Sequence, residues 1–278
     1  VEETFPGNGV VGPADASWLR FGVPSGGPCD EWTAALAIKL LGDSTEEYIL
    51  EISNPCRLKV LQTTPLCLFG AKGNHRLNDE ALTPTGTFVA KSGDTLSLAP
   101  GPAQSLVYLA VPGLHATSGN LFQALSKGQV IRGKNLDSFK GVTVSLASES
   151  ETIEIDCLLC ADSQLQPGPY QKSFQTNRIG TRLIGQGPQL PGYERSRPCV
   201  RGAIQATPSG ELIVHGPDGP TIGGYQIVGA IAKADWGKFS QLGPLTDFSF
   251  RFVDLDEARR KLIQRNELLE RANLLEPD

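Results

Sequence analysis

The chain has 278 residues, 40% of them hydrophobic and 20% charged, with a formal net charge of −5. That is enough apolar chain for one large or two ordinary domains with a real core, which excludes an intrinsically disordered protein. An acidic chain lacks the field of lysine and arginine that a general nucleic-acid or membrane-surface binder needs. No apolar run reaches the length of a membrane span, and Val1–Pro6 lacks a basic-then-apolar leader, so a cytoplasmic protein is expected. The 31 glycines and 20 prolines are scattered without a period, which leaves many short elements joined by turns.

In chain order, the first regular element is a helix over Glu31–Leu41, with Asp30 as its N-cap and Gly42 as its C-terminal stop. Short alternating or continuous apolar runs then read as strands: Arg57–Leu61, Leu66–Phe69, Thr95–Leu98 and Ser105–Val111. Asn120–Lys127, stopped by Gly128, reads as a second short helix. Strand character resumes at Val142–Leu146 and Thr152–Ile155, and continues through Glu211–His215, Tyr225–Ala232 and Asp247–Val253. Asp235–Leu242 has room for a further helical turn or two. Leu255–Glu276 has neither Gly nor Pro. It places Leu255, Ala258, Leu262, Leu269 and Ala272 at helical spacing, with pairs Asp256/Arg260, Glu257/Lys261 and Glu267/Arg271. This predicts an amphipathic C-terminal helix, either a brace on the β body or a docking helix for a partner. The pattern is mainly β with a few helices, cut near residue 125 into domains at 1–125 and 126–254, followed by the helix at 255–278.

Chemistry is not announced by any familiar catalytic motif. The histidines His75, His115 and His215 stand alone, and neither a GxSxG elbow nor a GxxxxGK[ST] loop is present. Cys157 and Cys160 have CxxC spacing without a second pair, which favours free thiols over a metal site. Charge is more telling. Six basic residues (Lys172, Arg178, Arg182, Arg195, Arg197, Arg201) face one acid, Glu194, between 172 and 201, whereas residues 1–60 carry nine acids against four bases. Guanidinium groups match carboxylates and phosphates, so this stretch either binds a small anion or pairs with the acids of the N-terminal part. Two glycine-rich segments, Gly22–Asp30 and Pro220–Tyr225, run into a helix and a strand; each is either a ligand-approaching loop or a tight corner.

Taken together and in order, Gly22-Val-Pro-Ser-Gly-Gly-Pro-Cys-Asp30, Leu50-Glu-Ile52, Phe69-Gly-Ala71, Ser92-Gly-Asp94 and Tyr108-Leu-Ala-Val111 resemble the N-terminal half of the allophanate hydrolase subunit 2 family. That family is also known as the 5-oxoprolinase C subunit, and it includes the Kip antagonist and the carboxyltransferase region of urea carboxylase. The resemblance continues through Asn177-Arg-Ile-Gly-Thr-Arg182, Gly202-Ala-Ile-Gln205, Pro208-Ser-Gly210 and Thr221-Ile-Gly-Gly-Tyr225. It implies tandem cyclophilin-like β-barrel domains and a hetero-oligomer with a subunit 1 (B-type) homologue. The implied activity is that of one component of a hydrolase complex working on a small amide or anion. With no nucleotide loop and no biotinylation segment here, ATP or biotin belongs to other subunits, and no cofactor is expected on this chain.

Carried onto this sequence, the resemblance makes Glu51, in an apolar context, a general acid/base or the partner of an arginine. Gly26 and Gly27 form the loop that Asp30 orients, unless Asp30 only caps its helix. Arg178 and Arg182 are placed to clamp a carboxylate, and Gln205 with Gly223, Gly224 and Tyr225 to fix an amide. The chain departs from the family at Gly12–Trp18, at Cys29, where methionine is usual, at Ala35–Ile38 and at Pro217-Asp-Gly219. Those departures support a second expectation, a non-catalytic regulatory binding module of the Kip antagonist type.

Overall fold

The computed structural model describes residues 1–42, 48–115, 121–134, 141–142, 144 and 153–271. Contacts divide the chain into two units. The first comprises Val1–Pro13, Asp30–Ser148 and Glu267–Asp278, the second Ala14–Cys29 and Glu149–Asn266. The chain thus changes unit at 13/14, 29/30, 148/149 and 266/267, whereas the sequence pattern puts one cut near residue 125.

In the first unit, strands β1 (Glu3–Thr4), β2 (Gly9–Val11), β3 (Ile49–Ile52), β4 (Cys56–Lys59), β5 (Thr64–Gly70), β6 (Arg76–Leu77), β7 (Glu80–Ala81), β8 (Thr85–Ala90), β9 (Thr95–Leu98), β10 (Val107–Ala110) and β11 (Gln123–Ala124) build two sheets. Their orders are β1-β4-β9-β6-β7 and β11-β2-β3-β10-β5-β8. Leu50, Ile52, Leu68, Val107 and Leu109 from the larger sheet meet Leu58, Leu96 and Leu98 from the smaller one in a single core. Helix α1 (Glu31–Leu41) packs on β5, β8 and β10. It is capped by Asp30 and stopped by Gly42 at φ 84°, as the sequence predicts. With a sheet on one side and a helix on the other, β3 and β10 are buried at every position, and the residue between Leu50 and Ile52 is buried as well.

Residues 121–127 correct the second predicted helix: they carry β11, which pairs Gln123 with Val10 and Ala124 with Gly9. The edge of β2 needs hydrogen-bond partners, and Gly9 lets the Phe122 ring lie where a Cβ would sit 2.3 Å from it. The predicted strand Val142–Leu146 lies largely outside the described residues, as does the end of the C-terminal helix beyond 271.

In the second unit, β12 (Glu154–Leu159), β13 (Tyr170–Thr176), β14 (Gly180–Ile184), β16 (Ala203–Ala206), β17 (Leu212–His215), β19 (Gln226–Ile231) and β20 (Asp247–Phe252) form a closed barrel, with β15 (Arg197–Pro198) and β18 (Ile222–Gly223) as a separate ribbon. The barrel order is β12-β19-β16-β17-β14-β13-β20, and a parallel β12/β20 pair closes it. Closure removes both sheet edges. Tyr170, Phe248 and Phe250 stack in its interior, and α2 (Lys233–Gln241) adds Trp236 and Phe239.

Helix α3 (Leu255–Arg271) buries only Ala258 among its described side chains and is held by charge instead. Asp156, 2% exposed at the side chain, accepts from Nε and Nη2 of Arg251 (2.7 and 2.8 Å) and from the Lys261 ammonium (2.7 Å). Lys261 also reaches Asp235 at 2.7 Å. The sequence spacing pairs Lys261 with Glu257, but Lys261 turns inward, because two buried carboxylates need a cation more than an exposed one does. Glu257 goes to Arg251 at 2.6 Å. Among the described residues no helix is long and apolar enough to cross a membrane.

Candidate functional site

The first cluster belongs to the first unit. Alternation along β3 turns Leu50 and Ile52 to the inter-sheet core and Glu51 to the α1 side, where the register sets Glu51 opposite Tyr108 of β10. The Tyr108 hydroxyl donates to Glu51 Oε2 (2.8 Å) and accepts the Asp30 backbone N–H (2.7 Å). All three residues are 1% exposed or less. Asp30 caps α1: Oδ1 accepts the Thr33 N–H at 3.1 Å and Oδ2 the Thr33 hydroxyl at 2.5 Å. One hydroxyl therefore links a buried carboxylate to a helix N-terminus. Tyr108 is the site residue that sequence reasoning passes over. Its signal is a polar atom inside an apolar strand, since a buried tyrosine hydroxyl requires a partner.

The second cluster lies on the second unit, where the segment 14–29 runs over the loops flanking β14 and β17. Gly26 and Gly27 adopt φ 61° and 84°, and a Cβ on Gly27 would come within 2.7 Å of Ala14. Gly26 N–H donates to the Pro217 carbonyl at 3.1 Å. Arg178 holds the Gly27 carbonyl (2.7 Å) and forms a two-point pair with Asp218 (2.7 and 2.9 Å), while its third nitrogen approaches Cys29 Sγ at 3.5 Å. Arg201 donates to the carbonyls of Pro28 and Cys29, and the Ser240 hydroxyl adds a bond to Cys29 O at 2.9 Å. The glycine loop is thus fastened to the barrel through its carbonyls.

Arg182 does not join Arg178. It pairs with Glu211 at one end of β17, while Asp218 lies beyond the other end, so the two guanidinium groups have separate targets. Of the remaining bases, Arg197 stacks on Tyr193 at 4.4 Å and Arg201 on Trp236 at 5.2 Å. Lys172 is buried and donates to the carbonyls of Phe239, Ser240 and Leu242 at the end of α2. Burial pushes its pKa down to about 8. Arg195 aside, the basic stretch is partnered inside its own unit by Asp218, Glu211, aromatic rings and carbonyls.

The structure does bring the Gln205 group together. Gln205 Nε2 donates to the Tyr225 carbonyl (3.1 Å) and toward Cys199 Sγ (3.3 Å), leaving Oε1 to meet His215 Nε2 at 2.8 Å. His215 must then carry its proton on Nε2, which leaves Nδ1 an acceptor, and Nδ1 has no hydrogen-bond partner among the described residues. Burial holds the imidazole pKa below its ordinary value. His215 is therefore only half satisfied, unlike an ordinary structural histidine. Gly223 is required beside this cluster, because a Cβ there would lie 2.7 Å from Gln205 Nε2. Gly224 offers its carbonyl to Tyr193 N–H at 2.7 Å, and the Tyr225 side chain is exposed. Cys157 is buried, Cys160 is exposed, and both are free thiols. Among the described residues no group of His, Cys, Asp and Glu could hold a metal ion.

The family described as "carboxyltransferase domain, subdomain A and B" matches residues 21–127 and 159–252. The C subunit of 5-oxoprolinase from Haemophilus influenzae is 25% identical over 280 aligned positions, covering 90% of this chain and 89% of that protein. The crystal structure of TTHA0988 superposes with a TM-score of 0.79 at 25% identity, over 91% of this chain and 55% of that one. The urea amidolyase of K. lactis shares the fold, with a TM-score of 0.82 at 20% identity over 98% of this chain and 20% of that one. The chain therefore spans about half the length of TTHA0988 and a fifth of the amidolyase.

Proposed function

The chain belongs to the carboxyltransferase-domain family, subdomains A and B, and on that footing we propose that it is one component of a complex processing small amides, of the 5-oxoprolinase or urea carboxylase kind. The observation that carries this reading is that the likeness to the 5-oxoprolinase C subunit runs nearly the whole length of both chains and so takes in both units. In this proposal the partner is a subunit 1 (B-type) homologue, the working assembly is a hetero-oligomer, and ATP or biotin enters through other subunits. The substrate is a small amide or anion.

Within that reading Glu51 is the proton-handling group. Its carboxylate is buried against the Tyr108 hydroxyl, so a proton gained or lost by Glu51 is registered by Tyr108 and, through it, by the N-terminus of α1. Arg178 acts by holding Gly26 and Gly27 in their left-handed conformations rather than by clamping substrate, because its fork is occupied by Asp218. The test is reconstitution: the chain mixed with homologues of the other two 5-oxoprolinase components, the A and B types, with ATP, consumes 5-oxoproline, and Glu51→Gln lowers the rate roughly 100-fold. An intact assembly without turnover overturns this substrate.

A second reading, a regulatory binding module, is favoured by one feature: the groups carried over as substrate ligands are already partnered, Arg178 by Asp218, Arg182 by Glu211 and Gln205 by Tyr225 and His215. Thermal shifts with 5-oxoproline, urea and biotin separate the two. Tight binding of the partner with no shift from any of the three supports regulation.

A further inference from the structure

The first unit contains a cavity of about 610 Å³ that includes none of the residues discussed above as site groups. Strand β3 turns Glu51 to the α1 side, while Leu50 lines the cavity on the other face of the sheet. Its floor is core leucine from both sheets, 8% exposed or less, and Val60, Leu61, Val111, Val130 and Ile131 form its accessible apolar wall. One side of the mouth is the irregular segment 128–134, hung at its ends by the Gly128 N–H on the Val1 carbonyl (2.8 Å) and the Lys134 N–H on the Pro112 carbonyl (2.7 Å).

The volume falls in the range of small-molecule sites, roughly 300–1,000 Å³. Three features of the lining narrow the ligand. The deep wall is aliphatic and, among the described residues, no aromatic ring lines the cavity, so a flat heterocycle finds nothing to stack on. Its accessible wall offers aliphatic side chains to a guest, so a small polar amide would lose its hydration there without replacement. The mouth carries Lys59, Arg132 and Lys134 against Glu2, a cationic excess of two. Arg132 and Lys134 are exposed, and the Lys59 ammonium reaches the Thr95 hydroxyl at 3.2 Å while also acting on the Asp94 carboxylate. We propose that this cavity binds a carboxylate with a linear hydrocarbon tail: the tail lies along the aliphatic wall and the head stays at the cationic mouth.

The experiment is calorimetric titration of the full chain with linear carboxylates from butanoate to dodecanoate. Each added methylene is expected to tighten Kd roughly fourfold, the equivalent of about 0.8 kcal/mol per buried methylene, until the tail fills the cavity. An affinity that is flat with length overturns the proposal. Lys59→Ala/Arg132→Ala/Lys134→Ala alters only exposed side chains and is expected to weaken decanoate about tenfold while leaving decanol within twofold. Equal losses for both ligands, or none, overturn the assignment of the head group. Leu61→Asn puts a polar group on the apolar wall without entering the packed core and is expected to weaken decanoate severalfold. Should that variant fail to fold, the length series and the triple variant still decide.

Discussion

Replacing Lys261 by methionine removes a cation that α3 sends to both Asp156 and Asp235, at 2.7 Å each, while keeping most of the side-chain volume. A charge-assisted hydrogen bond contributes about 1.5–3 kcal/mol, and both carboxylates are nearly inaccessible to water as a replacement for the ammonium. Lys261 itself is 41% exposed, and Asp156 keeps Arg251, so the sum is discounted to a loss of about 2–3 kcal/mol. For a unit of this size that lowers the Tm by roughly 5–10 °C, read by calorimetry or near-ultraviolet circular dichroism. The acid limb should move as well. Burial alone would raise the Asp156 carboxyl, but the bonds from Arg251 and Lys261 outweigh it and hold its pKa below the ordinary value. A depressed carboxylate stabilises the fold above its unfolded pKa, near 4, and that contribution fades as pH falls through the folded value. Lys261→Met brings the fade to higher pH, and Lys261→Arg restores it. A loss below about 0.5 kcal/mol with an unmoved acid limb refutes the reasoning, because it shows that Arg251 alone satisfies the pair.

Tyr108→Phe leaves the Asp30 N–H and Glu51 Oε2 each without the hydroxyl they share, at an expected cost of about 2–4 kcal/mol in a urea melt. Arg178→Ala frees the Gly27 carbonyl and strands Asp218, so limited proteolysis should cut within 14–29 several times faster than in the parent chain. His215 titrates below its ordinary value in the fold, so stability is expected to fall as pH drops from about 6.5 through the folded pKa. His215→Gln should reduce that slope in denaturation curves taken between pH 7 and 5, leaving the share of His75, whose pKa burial also lowers.

Local features were legible because their causes are local. Asp30 and Gly42 bracket α1 as cap residues should, and the glycine-free run after Leu255 is helical for as far as it is described. Glu51 stands out as an acid between Leu50 and Ile52, and it is indeed buried. What stayed hidden depends on partners far away in the chain. Asp218 reads as part of a departure in Pro217-Asp-Gly219, although it is the carboxylate that answers Arg178 across 40 residues. Nothing near Lys261 tells that it passes over Glu257 for acids 105 and 26 positions away, because burial of those acids is a property of the finished barrel. The helix expected at 120–127 fails for a similar reason: an apolar periodicity eight residues long is overridden by a sheet edge that needs pairing.

The segment 14–29 carries a consequence for how the chain comes off the ribosome. It is made before the barrel strands that hold it, yet its carbonyls are held by Arg178 and Arg201, separated from them by 151 and 173 positions. Such a closure cannot occur until most of the chain has been made, and it is the slow, entropically costly kind. A stretch made before the barrel is thus among the last to find its place. A fragment cut to begin after residue 148 would keep every barrel strand and still lack the piece that Arg201 and Ser240 grip.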